Sequence, residues 1–302
     1  MTDASTSLVA RPKDTLTRPR VRWGVRHFFY ALLFMLGVQG VFTFIVSAVF
    51  VARQPSDVIL APDAADQLIT QTLEFFITGP MLFASSLLMY LSWFAVAWYA
   101  SWRKGYKSFA RDFWLRYRWR RDILIALAIT FILRGAEFLT SNALVWLGVD
   151  MRGTSNGAFL LEQPTIWFLA NGILVACVLA PLFEEILFRG VLLEGLLRLG
   201  QKLRTRDKDS FLAAPLRFLG KHKNAFAVLV SSFFFGMMHF QGTEYFGHFF
   251  VIFWTGLVGL TMALIVLHTK RLGPAILTHI LYNTSGVALM VLTVGLSGGT
   301  GV

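Results

Sequence analysis

The sequence predicts an all-α fold, a polytopic transmembrane helical bundle of about seven spans with its N-terminus inside and its C-terminus outside. Three observations support this. Of the 302 residues 56% are hydrophobic and only 15% charged, whereas a soluble domain of this size carries about a quarter charged residues. The apolar residues fall in long uninterrupted runs, as a hydrocarbon solvent demands. Basic residues crowd every second connection between those runs.

A membrane-crossing helix needs about 20 predominantly apolar residues. Such runs extend from Phe28 to Val51, Phe75 to Ala100, Ile123 to Leu147, Ile166 to Leu197, Phe226 to Phe240, Phe246 to Leu267 and Pro274 to Leu296. The fourth is long for one simple crossing and the fifth is short. The first does not read as a secretory signal, because a long polar tail precedes it and Val49 to Gln54 offers no small-x-small cleavage site. Residues 1–27, rich in Arg, Thr, Ser and Pro, read as a disordered basic cytoplasmic tail. Residues 28–164 form a three-span region with a basic cytoplasmic loop. Residues 165–296 form the membrane region with the polar motifs described below, and 297–302 a short tail.

Charge placement sets the orientation. The tail carries Arg11, Lys13, Arg18, Arg20, Arg22 and Arg26. The connections 102–122 and 198–223 are dense in Lys and Arg, and the last basic connection has Lys270 and Arg271. The intervening connections hold only Arg53 and Arg152. Basic loops stay inside, which implies a multi-pass protein of the cell membrane. In 102–122, Trp102, Tyr106, Phe109, Trp114, Tyr117 and Trp119 interleave with the cations, a pattern expected of amphipathic helices anchored at the interface. The net charge of +11 therefore finds its partner in anionic membrane lipids. No nucleic-acid motif accompanies it, and nucleic acid is not an expected partner. Cys177 is the one cysteine, which excludes an intrachain disulfide and a cysteine metal cage.

Ionisable groups in a bilayer cost at least about 2.5–3.5 kcal/mol each at the helix centre, so they are rare unless paired or functional. The fourth run nevertheless contains Glu184, Glu185 and Arg189. Glu185 and Arg189 share a helix face about 6 Å apart along the axis and can neutralise each other. Glu184 points about 100° away, without that partner. The fifth run ends in Phe235 and His239, and the seventh holds His279 and Asn283 one turn apart. A carboxylate that can hold water, a histidine to share its proton and a His/Asn donor pair make a hydrolytic constellation. Each motif alone has a bland reading in helix packing, but the conjunction does not. Arg134 and Glu137, three residues apart, read as a structural pair. Glu194, Glu244 and His248 read as interface or loop residues that could also rim a cavity.

Together these motifs, E-E-x-x-x-R at Glu184, Glu185 and Arg189, F-x-x-x-H at Phe235 and His239, and H-x-x-x-N at His279 and Asn283, resemble the CPBP family. It comprises type II CAAX prenyl endopeptidases and the bacterial Abi proteins of bacteriocin processing and self-immunity. The lead-in Arg271-Leu272-Gly273-Pro274 is similar too. The resemblance covers roughly residues 165–290 and implies an intramembrane glutamate protease acting on a membrane-associated or lipidated peptide or protein. In such enzymes the residues matching Glu184 and His239 activate water, and those matching His279 and Asn283 form the oxyanion hole. A neutral imidazole N–H and an amide NH₂ suit that role, each contributing about 3–4 kcal/mol in a dry site. Glu185 and Arg189 are expected to hold the helix and orient Glu184. The family has also been labelled as metalloproteases, and Glu184, Glu185, His239 and His279 include zinc-ligating types. Yet H-E-x-x-H is absent and the donors come from three helices, so no metal or other cofactor is expected, with zinc the lesser alternative. A non-enzymatic immunity or scaffold protein of the same fold is the competing function.

Depth constrains the site. If the fourth helix continued through the apolar residues 190–197, Glu184 would lie about 21 Å from Arg198, matching His239 at about 21 Å from Ala225. His279 and Asn283 come out shallower, at about 9 and 15 Å from Gly273. The expected site is near the midplane, in a cavity open to the cytoplasm.

Overall fold

A computed structural model gives the fold and describes residues 23–55, 58, 63–152, 154, 161, 163–204, 213–240 and 244–296. Helices account for all its regular structure among the described residues. They are α1 (Arg26–Ala52), α2 (Ala64–Phe76), α3 (Gly79–Lys104), α4 (Phe109–Asp112), α5 (Trp119–Trp146), α6 (Thr165–Arg204), α7 (Ala213–Lys221), α8 (Lys223–Met237), α9 (Phe246–Thr269) and α10 (Gly273–Leu296). Six of them, α1, α3, α5, α6, α9 and α10, are long and apolar enough to cross a membrane, while apolar α8 has 15 residues. Large apolar side chains such as Phe44, Phe131 and Trp146 stay exposed on their outer faces, a surface suited to lipid and not to water. The protein is a multi-pass membrane protein.

The fourth helix does continue. α6 runs unbroken for 40 residues from Thr165 to Arg204, with Glu184 at its middle. Wide π-type turns at Phe168–Leu179 and Ile186–Leu193 flank the α-helical stretch Ala180–Glu185. α6 is the axis of the bundle, touched by α1, α3, α8, α9 and α10. Glycines let α8 and α9 approach closely: a Cβ at Gly236 would collide with the Ile252 carbonyl. Such backbone contact through small residues is how membrane helices associate.

Three expectations change. The second span begins at Gly79 and not at Phe75, because the extended Thr78 and the proline in the first turn end one helix and start another. Phe75 and Phe76 belong to α2, which buries none of its residues but sets those two rings 5.1 and 6.2 Å from Phe50 and Phe42 of α1. The 102–122 connection is not built of surface helices: its ends belong to α3 and α5, and between Lys104 and Trp119 only the four residues of α4 are helical. Its buried Asp112 accepts from the Ser101 hydroxyl at 2.6 Å and the Tyr106 N–H at 2.9 Å, folding the loop back on α3. Phe113 and Trp114 are thereby buried, while Trp102, Tyr106, Tyr117 and Trp119 stay exposed. Finally, the fold starts before residue 28. Trp23 is fully buried, donates its indole N–H to the Gly190 carbonyl at 3.1 Å and stacks 5.1 Å from Phe113. The tail residues 1–22 and 297–302 lie outside the described residues.

Asp122 at the start of α5 and Arg271 between α9 and α10 form a buried two-armed ion pair at 2.6 and 2.7 Å. Lys270, in the left-handed conformation that commonly closes a helix, turns the chain into α10. The α10 segment that follows carries His279 and Asn283.

Candidate active site

The two adjacent glutamates occupy different environments. Glu185 and Arg189 retain none of their side-chain surface and pair at 3.1 Å across one helical turn. The Arg189 guanidinium also donates to the Gly259 carbonyl at 2.9 Å and lies 4.4 Å above the Phe235 ring. Gly259 permits this approach, since a Cβ there would press on both Phe235 and Arg189. Glu184 keeps 13% of its side-chain surface. Its neighbours are His279 Nε2, at 3.8 Å, and the phenol of Tyr90. A carboxylate that is partly accessible and lacks a direct cation is the one free to hold water.

His279 lies between the two carboxylates. Its Nδ1 is 3.0 Å from Glu185 Oε1, an oxygen already facing Arg189, so Nδ1–H is the donor and Nε2 faces Glu184. Glu185 thus contacts His279, a partner not expected for it. Moreover, with Nδ1–H committed to Glu185, Nε2 carries a hydrogen only in the imidazolium form, so a neutral ring cannot donate there.

His239 lies in the turn two residues beyond the end of α8, half-buried. Its Nδ1 lies 2.9 Å from the Phe235 carbonyl, an acceptor only, which leaves Nε2 as the basic nitrogen of the neutral ring. Phe235 ties this residue to the rest, with ring centroids 5.1 Å from His239 and 5.7 Å from His279. Glu184, Glu185, Arg189 and His279 are thus brought into one polar cluster, and His239 joins it across the Phe235 ring.

Asn283 donates from Nδ2 to the Ala176 carbonyl at 2.8 Å. Local sequence explains why that carbonyl is available. In the wide turn before it the Ala180 N–H bonds to Val175, so the next partner in the i→i+5 pattern for Ala176 would be Pro181, which has no N–H. One of the two amide N–H groups of Asn283 fills that gap.

Tyr90 is the site neighbour that the sequence did not reveal, since a tyrosine in an apolar run three helices earlier carries no signal of its partner. Arg134 and Glu137 pair at 2.6 Å as expected. Glu194 is buried, Glu244 exposed and His248 half-buried. Hollows on the surface of the described residues include one beside Trp98, Trp102 and Lys107 and one beside Asp66, Thr70 and Glu74; none of the seven motif residues lines either. Among the described residues no three His, Cys, Asp or Glu side chains converge as metal ligands. The donors fit zinc poorly, because Glu185 and the His279 Nδ1 are already committed to each other and to Arg189.

Residues 164–285 match the family described as Type II CAAX prenyl endopeptidase Rce1-like. This region of the chain is similar to that family, and the match supports the resemblance carried by the polar motifs. The matched stretch starts one residue before α6 and ends two residues after Asn283, so it contains all seven motif residues and none of α1 to α5. The similarity supports a hydrolase role of the protease type in general terms. Comparison with curated proteins and with solved structures gave no match.

Proposed function

We propose that this protein, similar to CAAX proteases over residues 164–285, is an intramembrane endopeptidase that hydrolyses a peptide bond of a membrane-associated or lipidated substrate, with Glu184 and His239 activating the water. The observation that carries this reading is the contrast between neighbouring carboxylates: Glu185 is sealed and ion-paired, while Glu184 is partly accessible and 3.8 Å from His279 Nε2. Glu184 removes a proton from water as its oxygen attacks the peptide carbonyl, and the basic Nε2 of His239 shares that proton. Breaking the C–N bond passes the proton to the leaving amine, giving a carboxyl group and an amine. The second amide N–H of Asn283 and the Nε2–H of an imidazolium His279 stabilise the oxyanion, each contributing about 3–4 kcal/mol. Glu185 keeps His279 in the required orientation, and Arg189 offsets the charge of Glu185. No step requires a metal.

Basic connections place the N-terminus and the α3–α5 and α6–α8 connections in the cytoplasm, so a substrate meets the site from the inner leaflet. Anionic lipids contact the same basic loops.

The test uses protein in liposomes and two quenched fluorogenic peptides, one ending in a farnesylated cysteine tetrapeptide and one without the farnesyl group. Glu184→Gln and His239→Ala are each expected to lose about 10²–10⁴-fold in turnover while keeping the wild-type unfolding temperature. Wild-type turnover in both folded variants would reject the mechanism and favour a binding-only immunity or scaffold role. Cleavage of the farnesylated peptide alone identifies the lipid as part of the recognised substrate.

A further inference from the structure

We propose that Arg134 and Glu137 of α5 are positioning residues for the hydrolytic site, gripping Tyr282 and so fixing the rotation and depth of the α10 turn that bears His279 and Asn283. The inference rests on the roles proposed above for those two residues. It adds two side chains that lie outside the matched region 164–285.

A simple ion pair would neutralise Arg134 and leave its other donors idle. Instead every part of the guanidinium is used. Nη1 meets Glu137 Oε2 at 2.6 Å, Nε donates to the Ser285 hydroxyl at 3.0 Å, and Nη2 donates to the Tyr282 carbonyl at 2.5 Å. The guanidinium carbon lies 3.7 Å above the Tyr282 ring. Glu137 completes the grip by accepting from the Tyr282 hydroxyl at 2.8 Å, and that hydroxyl in turn accepts from the Trp254 indole N–H of α9 at 2.9 Å. Three helices, α5, α9 and α10, are therefore locked around one tyrosine.

The sequence of α10 accommodates this contact. Gly286 follows Tyr282 by one turn, and a Cβ at that position would overlap Arg134 Nη2. A glycine in mid-helix lowers helix stability, and here it opens the space through which the guanidinium reaches the backbone.

Tyr282 is the residue before Asn283 and lies three after His279. One residue of helix rotation is about 100°, so holding the Tyr282 ring, hydroxyl and carbonyl together fixes where both donors point. Catalytic donors need placement within about 0.5 Å, and a misplacement of about 1 Å can cost about 10²-fold. Polar side chains from outside the matched region, in the apolar middle of a span, have a purpose on this reading that an isolated ion pair would not give them.

Cys177 supplies an independent readout. It is the one cysteine of the chain, is buried, follows the Ala176 whose carbonyl holds Asn283, and its thiol contacts Thr284 of α10. Loosening α10 exposes it. In reconstituted protein, kcat and KM for the quenched peptide and the rate of Cys177 labelling by N-ethylmaleimide are measured for wild type, Arg134→Ala, Arg134→Lys, Tyr282→Phe and Gly286→Ala. Arg134→Ala and Gly286→Ala are expected to lose ten- to a hundredfold in kcat, on the order given for such misplacements, with KM within about twofold. Their labelling should be accelerated about tenfold, a change that an opening free energy lowered by about 1.4 kcal/mol produces. Arg134→Lys should recover part of both, and Tyr282→Phe should lose several-fold in kcat. Wild-type kcat and labelling in folded Arg134→Ala overturn the proposal. If that variant does not fold, wild-type kcat in Tyr282→Phe and Gly286→Ala overturns it equally. Glu184→Gln separates the two claims: wild-type turnover there removes the chemistry, while accelerated labelling in Arg134→Ala still supports the grip on α10.

Discussion

α1 and α9 are about equally apolar, yet none of the most apolar 18-residue stretch of α1 is buried, whereas half of the corresponding stretch of α9 is. The first helix faces lipid along most of its length, while the second packs between α8, α10 and the central α6. Hydropathy therefore identifies what must leave water and does not say whether lipid or protein receives it. Polar residues distinguish the two cases. α1 offers one inward polar link in its middle, Gln39 to Ser85 on α3 at 2.9 Å. The helices around α6 instead converge on Arg189, Glu185 and His279, whose side chains are nearly or fully sealed.

Substitutions on the two kinds of helix should differ accordingly. The largest effect is expected at Glu185. Glu185→Ala leaves the Arg189 guanidinium buried without its counter-charge, a loss of about 3–5 kcal/mol in other buried pairs; a steep fall in unfolding temperature and in folded yield would register it. Phe235→Leu removes the ring beneath Arg189 and the edge contact to His279. About 1–2 kcal/mol of stability should be lost with it, readable from thermal unfolding. Pro181→Ala restores an N–H that competes with Asn283 for the Ala176 carbonyl. A several-fold fall in kcat without loss of stability is expected there, since one hydrogen bond contributes about 1 kcal/mol. At the far end of the scale, Phe131→Ala on the lipid face of α5, a residue 80% exposed, should change stability by less than about 0.5 kcal/mol. If Phe131→Ala proved as damaging as Phe235→Leu, the division between lipid-facing and core helices would be wrong.

Much of the frame was legible in the sequence because bilayer thickness and loop charge act locally. Six of the long apolar runs became spanning helices, and even the continuation of α6 past Arg189 followed from requiring Glu184 and His239 to reach similar depths. The Glu185–Arg189 and Arg134–Glu137 pairs were readable from helical spacing alone. Contacts between helices were not. Nothing in the order of residues indicates that Tyr90 meets Glu184, or that Glu185 turns to His279 instead of its own neighbour. The aromatic loop misled for a related reason. Interleaved rings and cations suit an interfacial helix, but Asp112 captured Ser101 and Tyr106 and pulled Phe113 and Trp114 into the core. The break before Gly79 was visible as Thr-Gly-Pro and was outweighed by the apolar run around it.

Everything proposed for the chemistry depends on two neighbouring carboxylates having separate tasks, one reacting and one sealed. The most direct measurement is kcat of Glu184→Gln in reconstituted protein whose unfolding temperature equals that of the wild type. A loss of at least about 10²-fold is the expected result. Turnover within about threefold of wild type would contradict it, because an amide at position 184 cannot take a proton from water.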